Sequence, residues 1–244
     1  MIEKVGSLIK SVKKIAVLSG AGISVNAGIP DFRGKQGIYT LKKFSVDIFD
    51  IDYFFEDPKP FYDFARAIYP ILEKAQPTFT HRFFTDLEQS HSVCTITQNI
   101  DLLHEKANST NIIHLHGNIK DSYCTNCGKY FSLEEMKKLI FESVIPRCDE
   151  CGGLIKPNIV FFGESVIDFD KAVKCVSDSE IFFALGTSLE VYPANMLLEY
   201  AKGFKILVNK NKTQLDKFFD YVFYEDLDEF FKKLQTIYRK EAYV

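Results

Sequence analysis

The sequence predicts an α/β fold: a doubly wound parallel Rossmann-like sheet with an inserted small zinc-binding module and a helical lid segment. Three observations lead there. Short apolar or β-branched runs alternate with helical periodicity along most of the chain, the mark of strand-helix-strand units. A glycine-rich turn, Gly20-Ala21-Gly22, follows directly on the first such run, Ile15-Ala16-Val17-Leu18-Ser19. Two C-x-x-C pairs, Cys124/Cys127 and Cys148/Cys151, stand 20 residues apart.

The spacing of Ile2, Val5, Leu8, Ile9 and Val12 predicts a helix over 2–13, before the strand at 15–19. Residues 35–75 are aromatic-rich and read as mostly helical, broken at Pro58 and Pro60. There Phe61, Phe64, Ala65, Ile68, Ile71 and Leu72 form an inward stripe that could also close over a ligand. Pro77 opens another helix with Phe83, Phe84 and Leu87 inward. Further strands are expected at 93–97, 112–115, 159–162, 181–185, 205–208 and 221–224, about seven in all with the first, and the chain closes with a helix over 227–238.

Composition narrows the function classes. The 244 residues, 46% hydrophobic and 26% charged, allow one large core with at most a small module. A net charge of -3 offers no global attraction to nucleic acid or to an anionic membrane, so neither partner is expected. The start, Met1 to Gly6, lacks a charged segment followed by an apolar core, and no apolar run approaches a membrane span; a cytoplasmic protein is expected. Cys94 and Cys175 lie in apolar segments, where reduced buried thiols are expected.

In a doubly wound sheet the ligand sits outside the strand C-termini. The residues just past each run are Gly20 to Ser24, Gln98 to Asp101, His116-Gly117-Asn118, Gly163-Glu164, Gly186-Thr187-Ser188, Asn209 and Glu225-Asp226, nearly all polar or glycine. Glycines at 20 and 22 remove Cβ atoms that would keep a pyrophosphate from the backbone, although Val25 stands where G-x-G-x-x-G needs a third glycine. On this motif alone an ordinary strand-to-helix turn stays open. His116, at the sheet's functional edge, is a candidate general base; His114 lies further inside the strand, and His81, His91 and His104 read as structural. Asn99 and Asp101 can address a ribose or a carboxamide. The four cysteines close a tetrahedron around Zn²⁺ with no open position, so the metal is expected to be structural.

Taken together, GAGISVNAGIPDFRG (20–34), TQNID (97–101), LHGN (115–118), the two C-x-x-C pairs, PNIVFFGE (157–164) and GTSLEVYPA (186–194) resemble, in order, the sirtuin family of NAD-dependent protein lysine deacylases. The compact bacterial members are the most similar. The resemblance covers nearly the whole chain and implies a single catalytic domain: a Rossmann-like part over 1–34, 76–119 and 156–244, a helical cofactor-loop segment over 35–75 and a zinc module over 120–155. It implies NAD as co-substrate, with Ala21, Gly22 and Ser24 near the pyrophosphate and Thr187, Ser188, Asn209 and Asp226 toward the adenosine. Nicotinamide would sit among Ile29, Phe32, Asn99, Ile100 and Asp101, with Asp101 on its carboxamide and Phe32 shielding the reacting ribose. Gly20, Asp31, Arg33, Gln98, Gly186 and His116 complete the implied cofactor set.

His116, Asn99 and Asp101 would be catalytic. The acyl-lysine oxygen would attack the ribose C1′, nicotinamide would leave, and His116 would assist the 2′-OH in taking the acyl group, giving O-acyl-ADP-ribose. Val160 and Phe162 would wall the acyl-lysine tunnel, and backbone at Gly163, Glu164, Glu190, Val191 and Tyr192 would pair with the peptide of an acylated protein. Mono-ADP-ribosyl transfer to a protein is the alternative reading. Oligomeric state is not set by the sequence, and a monomer is compatible with it. Two departures stand out. Val25-Asn26-Ala27 replaces residues richer in serine, glutamate or proline, and Ala65 and Ile68 occupy positions where relatives that take acidic acyl groups carry tyrosine and arginine, which implies a preference for acetyl and longer neutral acyl groups.

Overall fold

The computed structural model describes residues 1–31 and 44–240, the side chains of 239 and 240 excepted. Phe32, Arg33 and the start of the expected lid segment lie outside the described residues. The strands are β1 (Lys14–Ser19), β2 (Ser92–Thr97), β3 (Ile112–His114), β4 (Gly117–Cys124), β5 (Tyr130–Ser132), β6 (Ile155–Ile159), β7 (Ile181–Leu185), β8 (Phe204–Val208) and β9 (Tyr221–Phe223). The α-helices are α1 (Ile2–Ser11), α2 (Ile51–Glu56), α3 (Lys59–Lys74), α4 (Phe79–Leu87), α5 (Leu103–Lys106), α6 (Leu133–Glu142), α7 (Phe169–Ser177), α8 (Leu197–Tyr200) and α9 (Leu227–Lys240).

Six strands form the main sheet in the order β3-β2-β1-β7-β8-β9, and every pairing in it is parallel. β1 and β7 are buried along nearly their whole length, as strands covered by helices on both faces must be. From β1 the chain winds outward to β2 and β3, then returns to β7 and winds the other way. The switch point therefore falls between β1 and β7.

One core packs α1, α4 and α9 on the sheet through Ile9, Phe84, Phe230 and Phe231. A second packs α7 and α8 on the opposite face through Val176 and Leu197. Asp228 fixes α4 to α9, its carboxylate accepting the Thr80 backbone N–H at 2.9 Å near the start of α4. Among the described residues no helix is long and apolar enough to cross a membrane.

Three expectations are corrected. Residues 159–162 do not supply a seventh strand to the main sheet. β6 is instead an edge strand of a small antiparallel sheet, β5-β4-β6, and Phe162 makes only a single bridge to Asp50. The burial of Ile-Lys-Pro-Asn-Ile alternates, as in a half-solvated strand, and Pro157, which has no N–H to donate, suits an edge. Ile71 is 38% exposed while the rest of its stripe is buried. Cys94 and Cys175 are not two reduced thiols but a disulfide joining β2 to α7, with Cα atoms 6.4 Å apart, because both side chains project into the α7 side of the sheet.

The third core joins the helical segment to the metal module. Phe49, Phe54, Phe61, Phe64 and Phe161 pack in edge-to-face and tilted pairs in one cluster that continues into Met136, Ile140 and Ile155. The Tyr62 hydroxyl donates to the Ile155 carbonyl, and the Arg66 guanidinium donates to the Ile140 and Ser143 carbonyls at 2.9 and 3.0 Å near the end of α6. Lys106 satisfies the C-terminus of α3 through the Leu72 and Ala75 carbonyls at 2.9 and 3.0 Å.

Candidate active site

The loops that leave β1 and β7 cross at the switch point. Gly20 N–H donates to the Leu185 carbonyl at 2.9 Å and Gly22 N–H to the Gly186 carbonyl at 2.8 Å. A Cβ on Gly22 would lie 2.6 Å from Gly186 Cα, one on Gly20 2.8 Å from Gly186 O, and one on Gly186 2.7 Å from Gly22. Gly186 also has φ +57°, a left-handed value that favours glycine. The missing Cβ atoms of Gly20 and Gly22 thus also let two loops touch backbone to backbone, a requirement for glycine that the sequence motif did not show. Residues Ala21–Ala27 form a 3₁₀ helix that Gly28 ends at φ +84°.

A cleft of about 1380 Å³ opens above this crossing. It exceeds the roughly 300–1,000 Å³ of a single small-ligand pocket, which leaves room for a dinucleotide and a second substrate. From the β1 side it is lined by Gly20, Ala21, Gly22, Ile29 and Asp31, and from the β2 and β3 ends by Gln98, Asn99, Ile100 and His116. Gly186, Thr187, Ser188, Asn209 and Asp226 line the far side, while Val160, Phe162, Gly163, Glu164, Val191 and Tyr192 form the opposite wall. Ser24, Asp101 and Glu190 are not on its surface. Sequence reasoning missed Phe49 and Phe161, which line the apolar wall, and Lys210 and Lys212 beyond β8. The lysines follow the strand-end rule one to three residues further than it was applied.

Ser24 and Asp101 support the cleft from beneath. Asn99 donates through Nδ2 to the Gly20 carbonyl and to Ser24 Oγ, both at 3.2 Å. Ser24 in turn donates to Asp101 Oδ2 at 2.5 Å, and Asp101 Oδ1 accepts the Leu103 N–H at 3.0 Å. Because a carbonyl can only accept, Nδ2 is fixed inward and Asn99 presents Oδ1 as its remaining polar atom. Burial raises the Asp101 pKa from its ordinary value, with the Ser24 hydrogen bond opposing it. Gln98 Nε2 donates to Thr187 Oγ1 at 3.1 Å, tying the β2 and β7 loops together.

At the far end, Asp226 accepts from Asn26 Nδ2 at 2.9 Å, from the Asp228 N–H at 3.0 Å, and pairs with Lys210 at 3.0 Å. Asp226 thus holds the loop after β1 against the start of α9.

His116 stands where β3 gives way to β4, and its neighbour makes that turn possible. Gly117 has φ +67°, and a Cβ there would lie 2.0 Å from the Asn158 carbonyl oxygen. The His116 carbonyl accepts the Val160 N–H at 2.8 Å, and its ring Nδ1 lies 3.0 Å from the Gln98 carbonyl. That carbonyl requires a proton on Nδ1, so the neutral ring keeps its basic lone pair on Nε2. Burial lowers the His116 pKa from its ordinary value, the Gln98 bond opposing it in part. His114 instead pairs with Glu105 at 2.7 Å. His81 and His104 are buried, their rings tilted against each other with centroids 4.6 Å apart, and held neutral chiefly by burial.

The four cysteines converge as expected. Their sulfur atoms all lie within 4.8 Å of one another, Cys124 and Cys151 at 3.4 Å and Cys127 and Cys148 at 3.7 Å. Zn–S bonds of about 2.3 Å give a tetrahedron with edges of about 3.8 Å, so these residues fit a zinc ion and leave it no open position.

A neutral histidine beside a parallel-sheet switch point, together with a closed four-thiol site that fits a structural zinc, is an arrangement suited to a nucleotide-dependent group-transfer enzyme. A Sir2 family model matches residues 20–193. The chain belongs to the Sir2 family. It is similar to an NAD-dependent protein deacetylase of Thermotoga maritima, with 39% identity over 93% of this chain and 94% of that protein. Among solved structures, a Sir2 variant with a deacetylated p53 peptide and 3′-O-acetyl ADP ribose superposes with a TM-score of 0.91 at 38% identity, covering 96% of this chain and 97% of the other. A Sir2 complex with a p53 peptide and NAD⁺ gives a TM-score of 0.88 at 35% identity over the full length of both.

Because zinc binding and folding are linked, Cys148→Ser should lose its zinc by elemental analysis and unfold at lower temperature. A variant that kept both zinc and melting temperature would contradict the assignment.

Proposed function

We infer that this chain is an NAD-dependent protein lysine deacylase that moves the acyl group of an N-ε-acyl-lysine to ADP-ribose and releases nicotinamide. The observation that carries this is His116, a neutral base with its lone pair on Nε2, on the wall of a cleft large enough for a dinucleotide and a second substrate. Membership of the Sir2 family supplies the reaction class.

Bound NAD would supply a ribose carbon activated by departure of its nicotinamide. The loops around Gly22 and Gly186 would hold its phosphates, Thr187, Ser188 and Asn209 its adenosine half. Ile29, Ile100 and the outward Oδ1 of Asn99 would receive the nicotinamide end, with Asp101 acting from below by fixing Ser24 and Asn99. Each Asp101 oxygen accepts one hydrogen bond here, and contact between Asp101 and the carboxamide is part of this proposal. His116 Nε2 would take the proton of a ribose hydroxyl. The zinc, with four thiolates, takes no part in the chemistry. The acylated protein would lie between the 160–164 wall and Val191-Tyr192, its backbone pairing with theirs.

We place the protein in the cytoplasm, where NAD and acyl-lysine proteins meet. On its net charge of -3, it is assigned no nucleic-acid partner. The division proposed is one catalytic domain, with the Rossmann-like part over 1–34, 76–119 and 156–244, the helical segment over 35–75 and the zinc module over 120–155. The last two share a core.

The substrate wall is apolar, and among the described residues the only lysine or arginine side chains lining the cleft are Lys210 and Lys212, beyond β8. Ala65 and Ile68 are buried in the aromatic core, and Arg66 is engaged by carbonyls of the metal module. A carboxylate at the acyl terminus would be left unpaired there.

With NAD and an acetyl-lysine peptide, mass spectrometry should detect O-acetyl-ADP-ribose, and His116→Ala should slow its formation by about 10²- to 10⁴-fold. Since His116 acts as the neutral base and burial lowers its pKa, activity should be lost as pH falls through a midpoint below the ordinary 6.5. Product formation unaffected by the substitution, or an acid limb above that value, would contradict this role. A peptide panel should show acetyl-lysine and longer neutral acyl-lysines removed faster than succinyl-lysine; the reverse order would overturn the acyl preference.

A further inference from the structure

Lys156, on β6, makes contacts that the chemistry above does not use. Its side chain is only 14% exposed. The ammonium donates to the Ile159 carbonyl at 2.7 Å, pairs with Glu164 Oε2 at 2.9 Å, and lies 4.3 Å from the centroid of the Phe161 ring. Glu164 Oε2 also accepts the Phe161 N–H at 2.7 Å, and the Glu164 N–H returns to the Phe161 carbonyl at 3.0 Å. The Glu164 carboxylate is therefore turned back into its own loop. One half-buried cation thus ties together residues 159, 161 and 164, while Val160, Phe162 and Gly163 of the same segment line the cleft.

The remaining backbone of this segment is unevenly used. The Val160 N–H is bonded to the His116 carbonyl, and Phe162 uses its N–H on Phe49 and its carbonyl on Ile51, at 2.7 and 3.0 Å. Among the described residues, the Val160 carbonyl and both polar groups of Gly163 have no hydrogen-bond partner. These are the groups an added peptide strand would meet. Their direction depends on how the 159–164 turn is held, and Lys156 is the side chain that holds it from behind.

We propose that Lys156 is a positioning residue for the acylated peptide, acting through Ile159 and Glu164 to aim the backbone of residues 160–163 at the substrate. This rests on the reading that the peptide lies along that segment. Without the ammonium, the Ile159 carbonyl loses its donor and Glu164 keeps an uncompensated, partly buried charge. Methionine at 156 retains the apolar stem over Phe161 while removing the charge.

The test is steady-state kinetics of the zinc-loaded enzyme, with acetyl-peptide and NAD varied separately. Lys156→Met should raise the KM for peptide about tenfold, the loss expected for one charge-assisted hydrogen bond, with kcat and the KM for NAD held within about twofold. Lys156→Arg should recover most of the peptide affinity. Glu164→Gln, which weakens the same pairing from its other end, should move the peptide KM in the same direction and stands in if Lys156→Met does not fold. Phe162→Ala serves as the control on the groove and should raise the peptide KM by itself. If Phe162→Ala raises it while Lys156→Met and Glu164→Gln leave it unchanged, the positioning role is overturned and the groove stands. If none of the three moves it, the groove reading fails and takes the proposal with it. Equal rises in both KM values, with no rescue by arginine, would show a purely structural lysine and overturn the proposal.

Discussion

The site depends on one backbone contact, the crossing of the loops after β1 and β7 at Gly22 and Gly186. These strands are neighbours in the sheet but distant in the chain, and the connections around them wind in opposite directions. A crevice forms at such a point only if the two loops diverge above it and close together below it. Here they close to the limit of backbone van der Waals contact, with no room for a side chain on either glycine. Asn99 and Ser24 then fasten the β2 loop to the same floor, and Gln98 and Thr187 join the β2 and β7 loops.

A second close approach sets the other wall. The missing Cβ of Gly117 lets β4 leave β3 beside Asn158, so that the carbonyl of His116 reaches the N–H of Val160. The proposed base and the proposed peptide wall are thereby one hydrogen bond apart in the backbone. The metal module lies on the far end of the same small sheet and shares the aromatic core of the helical segment. Zinc can thus influence the peptide wall through packing alone, without any role at the reacting atoms.

Much of this was legible in the sequence because it depends on short-range pattern. β1 and β7 read as buried parallel strands from unbroken apolar runs, and the polar residues just past each run marked the cleft. The spacing of the cysteines fixed their convergence. What could not be read depends on contacts between distant segments. Ile159 to Phe162 looked like one more buried strand, whereas Ile159 ends an edge strand and Phe162 pairs singly with Asp50. The glycines at 20 and 22 carry a second physical requirement that the motif did not show, since their neighbour Gly186 lies more than 160 residues away. Cys94 and Cys175 pair only because β2 and α7 face each other. The bond from Ser24 to Asp101 joins residues 77 apart, so no local motif encodes it.

The most direct test of the crossing is the affinity of the free enzyme for NAD by calorimetry, in the parent chain and in Gly186→Ala. A methyl group there meets the Gly22 backbone and requires an unfavourable φ. The floor of the cleft should therefore open and NAD affinity fall at least about tenfold, with zinc still bound. A folded Gly186→Ala protein that bound NAD as tightly as the parent would contradict the claim that this contact forms the site.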